Sequence, residues 1–345
     1  MCVLFPHLVL GGGETAMMEV AAGLEAFFEV TVAALDRRRL TVEPSAREEL
    51  VARFGEVAFP RDGEELARCL AGADAVLWYG LNDLTPRTLA GVAPRPASVR
   101  VVHTDKVEEL EHHRRWAHAI DAVACVSPAV ARRLPGAAFI PNAASADRVA
   151  GEAIDPFPPG PDGRRRKTLG FLGRFFSFKN VPWLIENAGR IGCNLLLQGL
   201  DTPEHTRGGL ERLARTAGTA DRVRFLEPGP TVGTLLKSVD ALAVVSSQEG
   251  FPMVVVEAGL AGTPVIATPV GALPEVFADE VLFVPLDGGQ PRTEDVAAAL
   301  ARADAAWGRK LAARVREVCA PERVAAAYAD LVERTLAERA ARRCA

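Results

Sequence analysis

Short apolar runs alternate with Ala-rich stretches of amphipathic character along nearly the whole chain. The runs have strand length and are bounded by polar or turn residues, whereas the stretches between them carry helical periodicity. In the first half the pattern predicts strands at Val3–Phe5, Glu29–Leu35, Ala75–Trp78, Val99–Val102, Ala122–Val126 and Ala138–Ile140. It predicts helices at Glu14–Phe27, Glu64–Leu70, Val107–Ala117 and Pro128–Leu134. The segment Asp155-Pro156-Phe157-Pro158-Pro159-Gly160-Pro161-Asp162-Gly163 then interrupts it, since such a sequence forms neither a helix nor a central strand. The alternation restarts at Thr168–Leu172 and continues through Cys193–Gln198, Val223–Leu226, Ala241–Val245, Val265–Ala267 and Val281–Val284. A long Ala/Arg/Glu helix follows Pro321.

Strand and helix in strict alternation mean βαβ units and parallel sheets. The expected fold class is therefore α/β, with two Rossmann-like doubly wound domains. Their boundaries are expected at 1–152 and 168–320, with a linker at 153–167 and a terminal helix at 321–345 able to pack back on the first domain. Doubly wound sheets bind ligands at the carboxyl ends of their strands. Two such edges facing a central cleft would hold two substrates.

Composition narrows the partners. The 345 residues include 40 basic and 44 acidic side chains, for a net charge of −4. That balance provides no general field for nucleic acid. The basic clusters Arg37–Arg39, Arg114-Arg115, Arg132-Arg133, Arg164–Lys167 and Arg342-Arg343 read as solvated helix ends or linkers, one of them able to touch anionic lipid. The six cysteines lie far apart with no CxxC pair. Their spacing argues for a reducing, cytoplasmic setting and against a zinc site. The N-terminus lacks the basic region of a signal peptide, and no apolar run reaches membrane-spanning length. The expectation is a cytoplasmic protein, with peripheral membrane contact left open along with its oligomeric state.

The richest chemistry lies in Ser246-Ser247-Gln248-Glu249-Gly250-Phe251-Pro252-Met253-Val254-Val255-Val256-Glu257, which leaves a buried strand and opens a helix. Gly250 lets the backbone approach a ligand closely, and Pro252 suits a first helical turn. The free N–H groups around Phe251, Met253 and Val254, with Pro252 contributing only its turn geometry, then form an anion site. Glu249 and Glu257 flank it, each able to accept bonds from a pair of hydroxyls. A diphosphate with hydroxyl-bearing groups on both sides fits this arrangement, as in a sugar nucleotide. A second loop, Gly170-Phe171-Leu172-Gly173-Arg174-Phe175-Phe176-Ser177-Phe178-Lys179-Asn180, supplies two cations, Arg174 and Lys179, suited to a diphosphate leaving group. Gly271 and Glu275 in the next loop either line the same pocket or shape its turn.

The segment from Gly170 to Glu275 resembles the retaining GT-B glycosyltransferases of family 4. Glu249 and Glu257 match the family's pair of glutamates separated by seven residues. Gly173, Arg174 and Lys179 match its Gly-Arg and following Lys. The resemblance implies that Glu249 contacts the transferred sugar, Glu257 the ribose hydroxyls, and Arg174 and Lys179 the diphosphate. It further implies a nucleotide-sugar donor such as a UDP- or GDP-sugar and an acceptor glycan, lipid or small molecule bound by the first domain. No metal and no cofactor beyond that co-substrate are expected; no Asp-x-Asp occurs.

In the first half, Gly11-Gly12-Gly13-Glu14 resembles the family's Gly-Gly-x-Glu loop, so Gly11 and Gly12 join the expected ligand contacts. His103, at a predicted strand end, resembles the His that contacts the donor sugar and is the fourth expected catalytic residue beside Glu249, Arg174 and Lys179. His112, His113 and His118 read as one polar helix face turned toward the acceptor. Ile140-Pro141-Asn142-Ala143 resembles a Pro-Asn-Gly turn in which Ala143 replaces Gly, and Asn180 replaces a Gly after the Lys. A rival dinucleotide fingerprint, Gly11-x-Gly13-x-x-Ala16 with Asp36 downstream, would make the chain an NAD-dependent oxidoreductase. Pro6 opens too long a loop for that motif. A non-catalytic GT-B scaffold and a sugar-nucleotide epimerase are the remaining alternatives.

Overall fold

A computed structural model describes residues 1–8, 11–36, 44–104, 106–159, 163, 165–227 and 232–344. The cluster Arg37–Arg39, Arg164 and the linker residues 160–162 named above lie outside them. The chain divides into two compact units, Met1–Ala143 with Ala320–Ala345, and Ala144–Cys319.

The first unit is built on seven parallel strands: β1 (Cys2–Phe5), β2 (Thr31–Ala34), β3 (Val57–Ala58), β4 (Ala75–Tyr79), β5 (Ala97–Val102), β6 (Ala122–Cys125) and β7 (Ala138–Phe139). Their order is β3-β2-β1-β4-β5-β6-β7, so the winding reverses between β1 and β4. Cys2 pairs with Thr31 on one side and Val76 on the other. The helices between them are α1 (Gly12–Leu24), α2 (Pro44–Phe54), α3 (Gly63–Leu70), α4 (Leu84–Gly91), α5 (Val107–Trp116) and α6 (Pro128–Arg133). The central strands are buried along their full length, as parallel strands covered on both faces must be. Even Arg100, in the middle of β5, is enclosed. Its guanidinium donates to Glu109 of α5 at 2.6 Å and lies over the Trp78 ring. Asp62 starts α3 by accepting from the N–H groups of Glu64 and Glu65. The terminal helix, Pro321–Cys344, is part of this unit and runs against α1, where Gly23 meets Ala325. Its Arg339 is fixed by Asp121 at 2.6 Å and by the Arg95 carbonyl at 2.8 Å.

The second unit carries six parallel strands: β8 (Thr168–Leu172), β9 (Asn194–Gln198), β10 (Val223–Phe225), β11 (Ala241–Val244), β12 (Val265–Ala267) and β13 (Leu282–Phe283). The order β10-β9-β8-β11-β12-β13 repeats the first sheet's winding, with the reversal between β8 and β11. A small hairpin joins β14 (Leu286–Asp287) to β15 (Gln290–Pro291). The helices are α7 (Val181–Ile191), α8 (Arg207–Thr216), α9 (Val232–Lys237), α10 (Met253–Ala261), α11 (Leu273–Val276), α12 (Thr293–Arg302) and α13 (Ala305–Val318). Leu169, Phe171, Leu184, Leu195, Leu197 and Ile266 are among the residues of its main core. Helix α10 contains Val254-Val255-Val256, a β-branched run with weak helix propensity. Pro252 before it and a left-handed Gly262 after it fix its ends, and packing on α13 supplies what propensity does not.

Residues 144–167 cluster with the second unit, although the sequence pattern divides them between the first domain and a linker. Phe157 is buried with Arg224 over its ring, and Asp155 pairs with Arg165. Lys167 donates to the carbonyls of Leu300 and Ala303, both at 2.8 Å, and so caps the end of α12.

Candidate functional site

The reversal between β8 and β11, beyond the carboxyl ends of these strands, is the place where a doubly wound sheet takes a ligand. Two loops meet there. The loop after β8 passes through Gly173 and Arg174, forms a short 3-10 turn at Ser177–Lys179, and enters α7 through Asn180. The loop after β11 carries Ser246 to Pro252 into α10. They are joined at three points. Ser247 N–H donates to the Phe178 carbonyl at 2.7 Å, and Lys179 Nζ donates to Glu249 Oε1 at 2.6 Å. The Asn180 amide donates to the carbonyls of Val245 at 2.8 Å and Gly289 at 2.9 Å.

Asn180 has φ 55, and among the described residues it is the only non-glycine with a positive φ. Asparagine tolerates that conformation, and here its side chain also ties the loop to the end of β11 and to the hairpin. At Ala143 the backbone is not left-handed and its side chain is buried, so the turn after Asn142 needs no glycine.

Glu249 is held from two sides. Ser246 Oγ donates to the same Oε1 at 2.8 Å that takes Lys179. Its backbone is held by Gly271, at φ 57, where a Cβ would run into the carbonyl oxygens of Gly250 and Glu249. Ala272 N–H closes this contact on Gly250 O at 2.8 Å. Gly271 therefore shapes the turn, and Glu275 falls in the first turn of α11. Phe251 and Met253 are buried, with Phe251 packed edge-on to Phe277 at 5.9 Å, so these two side chains belong to the core. What this segment can offer a ligand is backbone: α10 follows Pro252 without a side-chain cap on its first N–H groups, an arrangement suited to an anion. Glu257, one turn further in, has a side chain only 5% exposed and accepts from Arg148 Nε at 3.0 Å. Arg174 lies half-buried with its guanidinium over the Phe176 ring. Gly173, Arg174, Lys179, Glu249, Gly250 and Glu257 are thus all drawn to one end of one sheet.

His103, Gly11 and Gly12 belong to the first unit, at the corresponding reversal between β1 and β4. Glu14 is buried there in the first turn of α1. It accepts from the Tyr79 hydroxyl at 3.3 Å and pairs with His7 Nε2 at 2.9 Å. His103 packs edge-on to Tyr79, with ring centroids 5.4 Å apart. Its Nε2 is shut off from solvent without a hydrogen-bond partner among the described residues. Burial pushes this imidazole down to about 4, with partial compensation from Glu14.

The polar face expected from His112, His113 and His118 does not form. His112 is buried, 3.1 Å from the Asn82 carbonyl and 3.3 Å from Asp83, because α5 turns Glu109, Leu110 and His112 inward at helical spacing. His118 is exposed and packs against Trp116. Sequence reasoning missed His7, Tyr79 and Arg148, and it gave no role to Ser246, which opens the segment of Glu249. Among the described residues no group of three or more His, Cys, Asp or Glu could hold a metal ion, and no helix is long and apolar enough to cross a membrane.

Residues 166–304 match the family model for glycosyl transferases group 1. A D-inositol 3-phosphate glycosyltransferase of Actinosynnema mirum is 34% identical over 172 residues, 42% of this chain and 40% of that protein. One from Salinispora tropica is 43% identical over 95 residues, 27% of this chain and 19% of that protein. This chain thus spans well under half the length of these relatives. Among solved structures, the Anabaena protein Alr3699/HepE in complex with UDP superposes with a TM-score of 0.76 at 15% identity, over 96% of this chain and 99% of that one. A glycosyltransferase from Rickettsia africae gives 0.74 at 14% identity, over 97% and 98%. Residues 166–304 thus resemble the glycosyl transferases group 1, and the chain's two parallel-sheet domains have the fold of GT-B glycosyltransferases.

Proposed function

We propose that the protein is a retaining glycosyltransferase that moves a sugar from a nucleoside diphosphate to an acceptor hydroxyl. The observation that carries this reading is the pairing of Lys179 with Glu249 at 2.6 Å beside the uncapped start of α10, with Glu257 enclosed one turn beyond. The diphosphate sits on the first N–H groups of α10, with Lys179 and Arg174 on its anionic oxygens. Glu257 takes the ribose hydroxyls and Glu249 those of the sugar. As the bond from the anomeric carbon to the phosphate oxygen breaks, charge grows on the diphosphate, where Lys179, Arg174 and the helix N–H groups stabilise it. The acceptor oxygen bonds to the anomeric carbon on the same face, and the products are the glycoside, the nucleoside diphosphate and a proton. His103 contributes a neutral imidazole to the sugar. No metal ion takes part.

The relatives called D-inositol 3-phosphate glycosyltransferases make a phosphorylated polyol one acceptor to try, beside glycans and lipids. The solved complexes with UDP and UDP-glucose put uridine first among donor bases.

The deciding experiment is calorimetric titration with UDP, GDP, ADP, dTDP and NAD, followed by the matching sugar nucleotides. One nucleoside diphosphate and its sugar should bind, and Lys179→Ala and Glu257→Ala should each lower turnover by about a hundredfold or more while circular dichroism stays unchanged. Full activity in both variants would refute the site, and binding of NAD alone would restore the oxidoreductase. Proton NMR of the product fixes retention, and activity surviving a chelator fixes metal independence.

A further inference from the structure

Glu257 is enclosed by the second unit, and a carboxylate withdrawn from water needs a counter-charge. That charge comes from Arg148, 109 residues earlier, through an Nε bond to Oε1 at 3.0 Å. Arg148 projects from the short 3-10 turn Ala146–Val149, where the second unit begins.

This turn is fixed to the unit independently of Glu257. Gly233 in α9 lies so close to the Val149 and Ala150 carbonyl oxygens that no Cβ would fit. Lys237 Nζ donates to the Gly151 carbonyl at 2.8 Å, and Ile154 N–H donates to Ser238 Oγ at 2.8 Å. The guanidinium is therefore delivered to α10 from a stationary backbone. The Nε–H lies fixed in the guanidinium plane and so directs the Oε1 it holds, which a point charge would not do.

We infer that Arg148 is the positioning residue for Glu257, and that through Glu257 it sets how much the ribose hydroxyls of the donor contribute to binding. The inference rests on the proposed role of Glu257. It assigns to Arg148 a defined share of donor recognition without contact between Arg148 and the donor.

The test compares the dissociation constant of the nucleoside diphosphate that binds best with that of its 2′,3′-dideoxy form. Wild type, Arg148→Ala, Arg148→Lys and Glu257→Gln are measured by calorimetry. Wild type should prefer the ribose form by about tenfold to a hundredfold, the loss associated with charged hydrogen bonds. In Arg148→Ala the preference should collapse toward unity while the dideoxy form binds as before. Arg148→Lys should recover part of it, and Glu257→Gln should lose it. General loosening of the fold lowers both affinities alike and leaves their ratio intact, so an unchanged ratio in Arg148→Ala overturns the inference. A wild type indifferent to the ribose hydroxyls overturns the role of Glu257 and this inference with it, a result separable because it precedes any variant. If Arg148→Ala does not fold, Arg148→Lys decides: an undiminished preference overturns the inference, and a reduced one supports it.

Discussion

The two sheets share one strand order, and each gathers polar residues where its winding reverses, yet the two reversals are built differently. In the second unit, between β8 and β11, the polar groups come from two loops and a helix start, and each carboxylate is answered by a cation: Glu249 by Lys179, Glu257 by Arg148. In the first unit, between β1 and β4, a single buried carboxylate, Glu14, serves a phenol and an imidazole, and the surroundings are aromatic. Cations and free helix N–H groups suit a diphosphate. Aromatic rings around one acceptor and a neutral imidazole suit an uncharged, hydroxyl-bearing group. The same winding thus carries cations in one unit and a buried carboxylate among aromatics in the other, and the side chains at the reversal make the difference.

Glycine separates the two most sharply. Gly271 combines φ 57 with contact to the Gly250 and Glu249 carbonyls, so Gly271→Ala must displace the loop that aims Glu249. We expect a loss of about 1–3 kcal/mol in unfolding free energy, and a fall in turnover of tenfold or more beyond it. Gly13 also belongs to a recognised glycine loop, but a Cβ there meets nothing within 4 Å. Gly13 lies inside α1, so Gly13→Ala should leave the protein unchanged or more stable by up to about 1 kcal/mol. Urea melts and initial rates on both variants measure the contrast. Equal damage from the two would mean that the first glycine loop is as tightly built as the second.

A smaller effect is expected at Glu14. Glu14→Ala leaves the buried Tyr79 hydroxyl without its acceptor and His7 without its partner, at a cost of about 1–3 kcal/mol. Because the proposed diphosphate contacts, Arg174, Lys179 and the start of α10, all lie in the second unit, the nucleoside diphosphate should bind this variant as it binds wild type. A parallel loss of nucleotide affinity in calorimetry would erase the division of labour between the two reversals.

How much of this was legible depended on how local each feature is. Thr168–Leu172 and Val265–Ala267 are strands at the residues the apolar pattern marks, because polar or turn residues bound both runs. Glu249 and Glu257 lie within one loop and one helix, so their spacing survives in one dimension. Helices α2 and α4 escaped the pattern: α2 buries only Ala46 and Leu50, and α4 includes Pro86 and two threonines, so neither carries a strong apolar stripe. Strand β3 has two residues, too few to show a period. The pairs that matter most to the sites are the least local. Arg148 reaches Glu257 across 109 positions, and Tyr79 reaches Glu14 across 65. Nothing in the neighbourhood of Arg148 sets it apart from the chain's other arginines until the fold brings it to α10.

The finest contrast concerns charge at the first reversal. In the folded chain burial holds His103 near 4, below its ordinary 6.5, despite the opposing pull of Glu14 and with His7 adding to the depression. The unfolded chain takes up this proton near 6.5, so between the two values it binds more protons than the folded chain does. Stability therefore rises with pH across that window and is lost as pH falls through it. His113, lowered to about 4 by burial and by Arg100, adds a second contribution of the same sign. Replacing His103 by Gln should flatten the dependence of unfolding free energy on pH by up to about 1.4 kcal/mol per pH unit in this window. His113→Gln should do the same, and the double variant should show the sum. Urea midpoints collected across the window check it. A slope left untouched by His103→Gln would mean that the folded chain already accommodates an imidazolium beside Tyr79, and the first reversal would then be a charged site like the second.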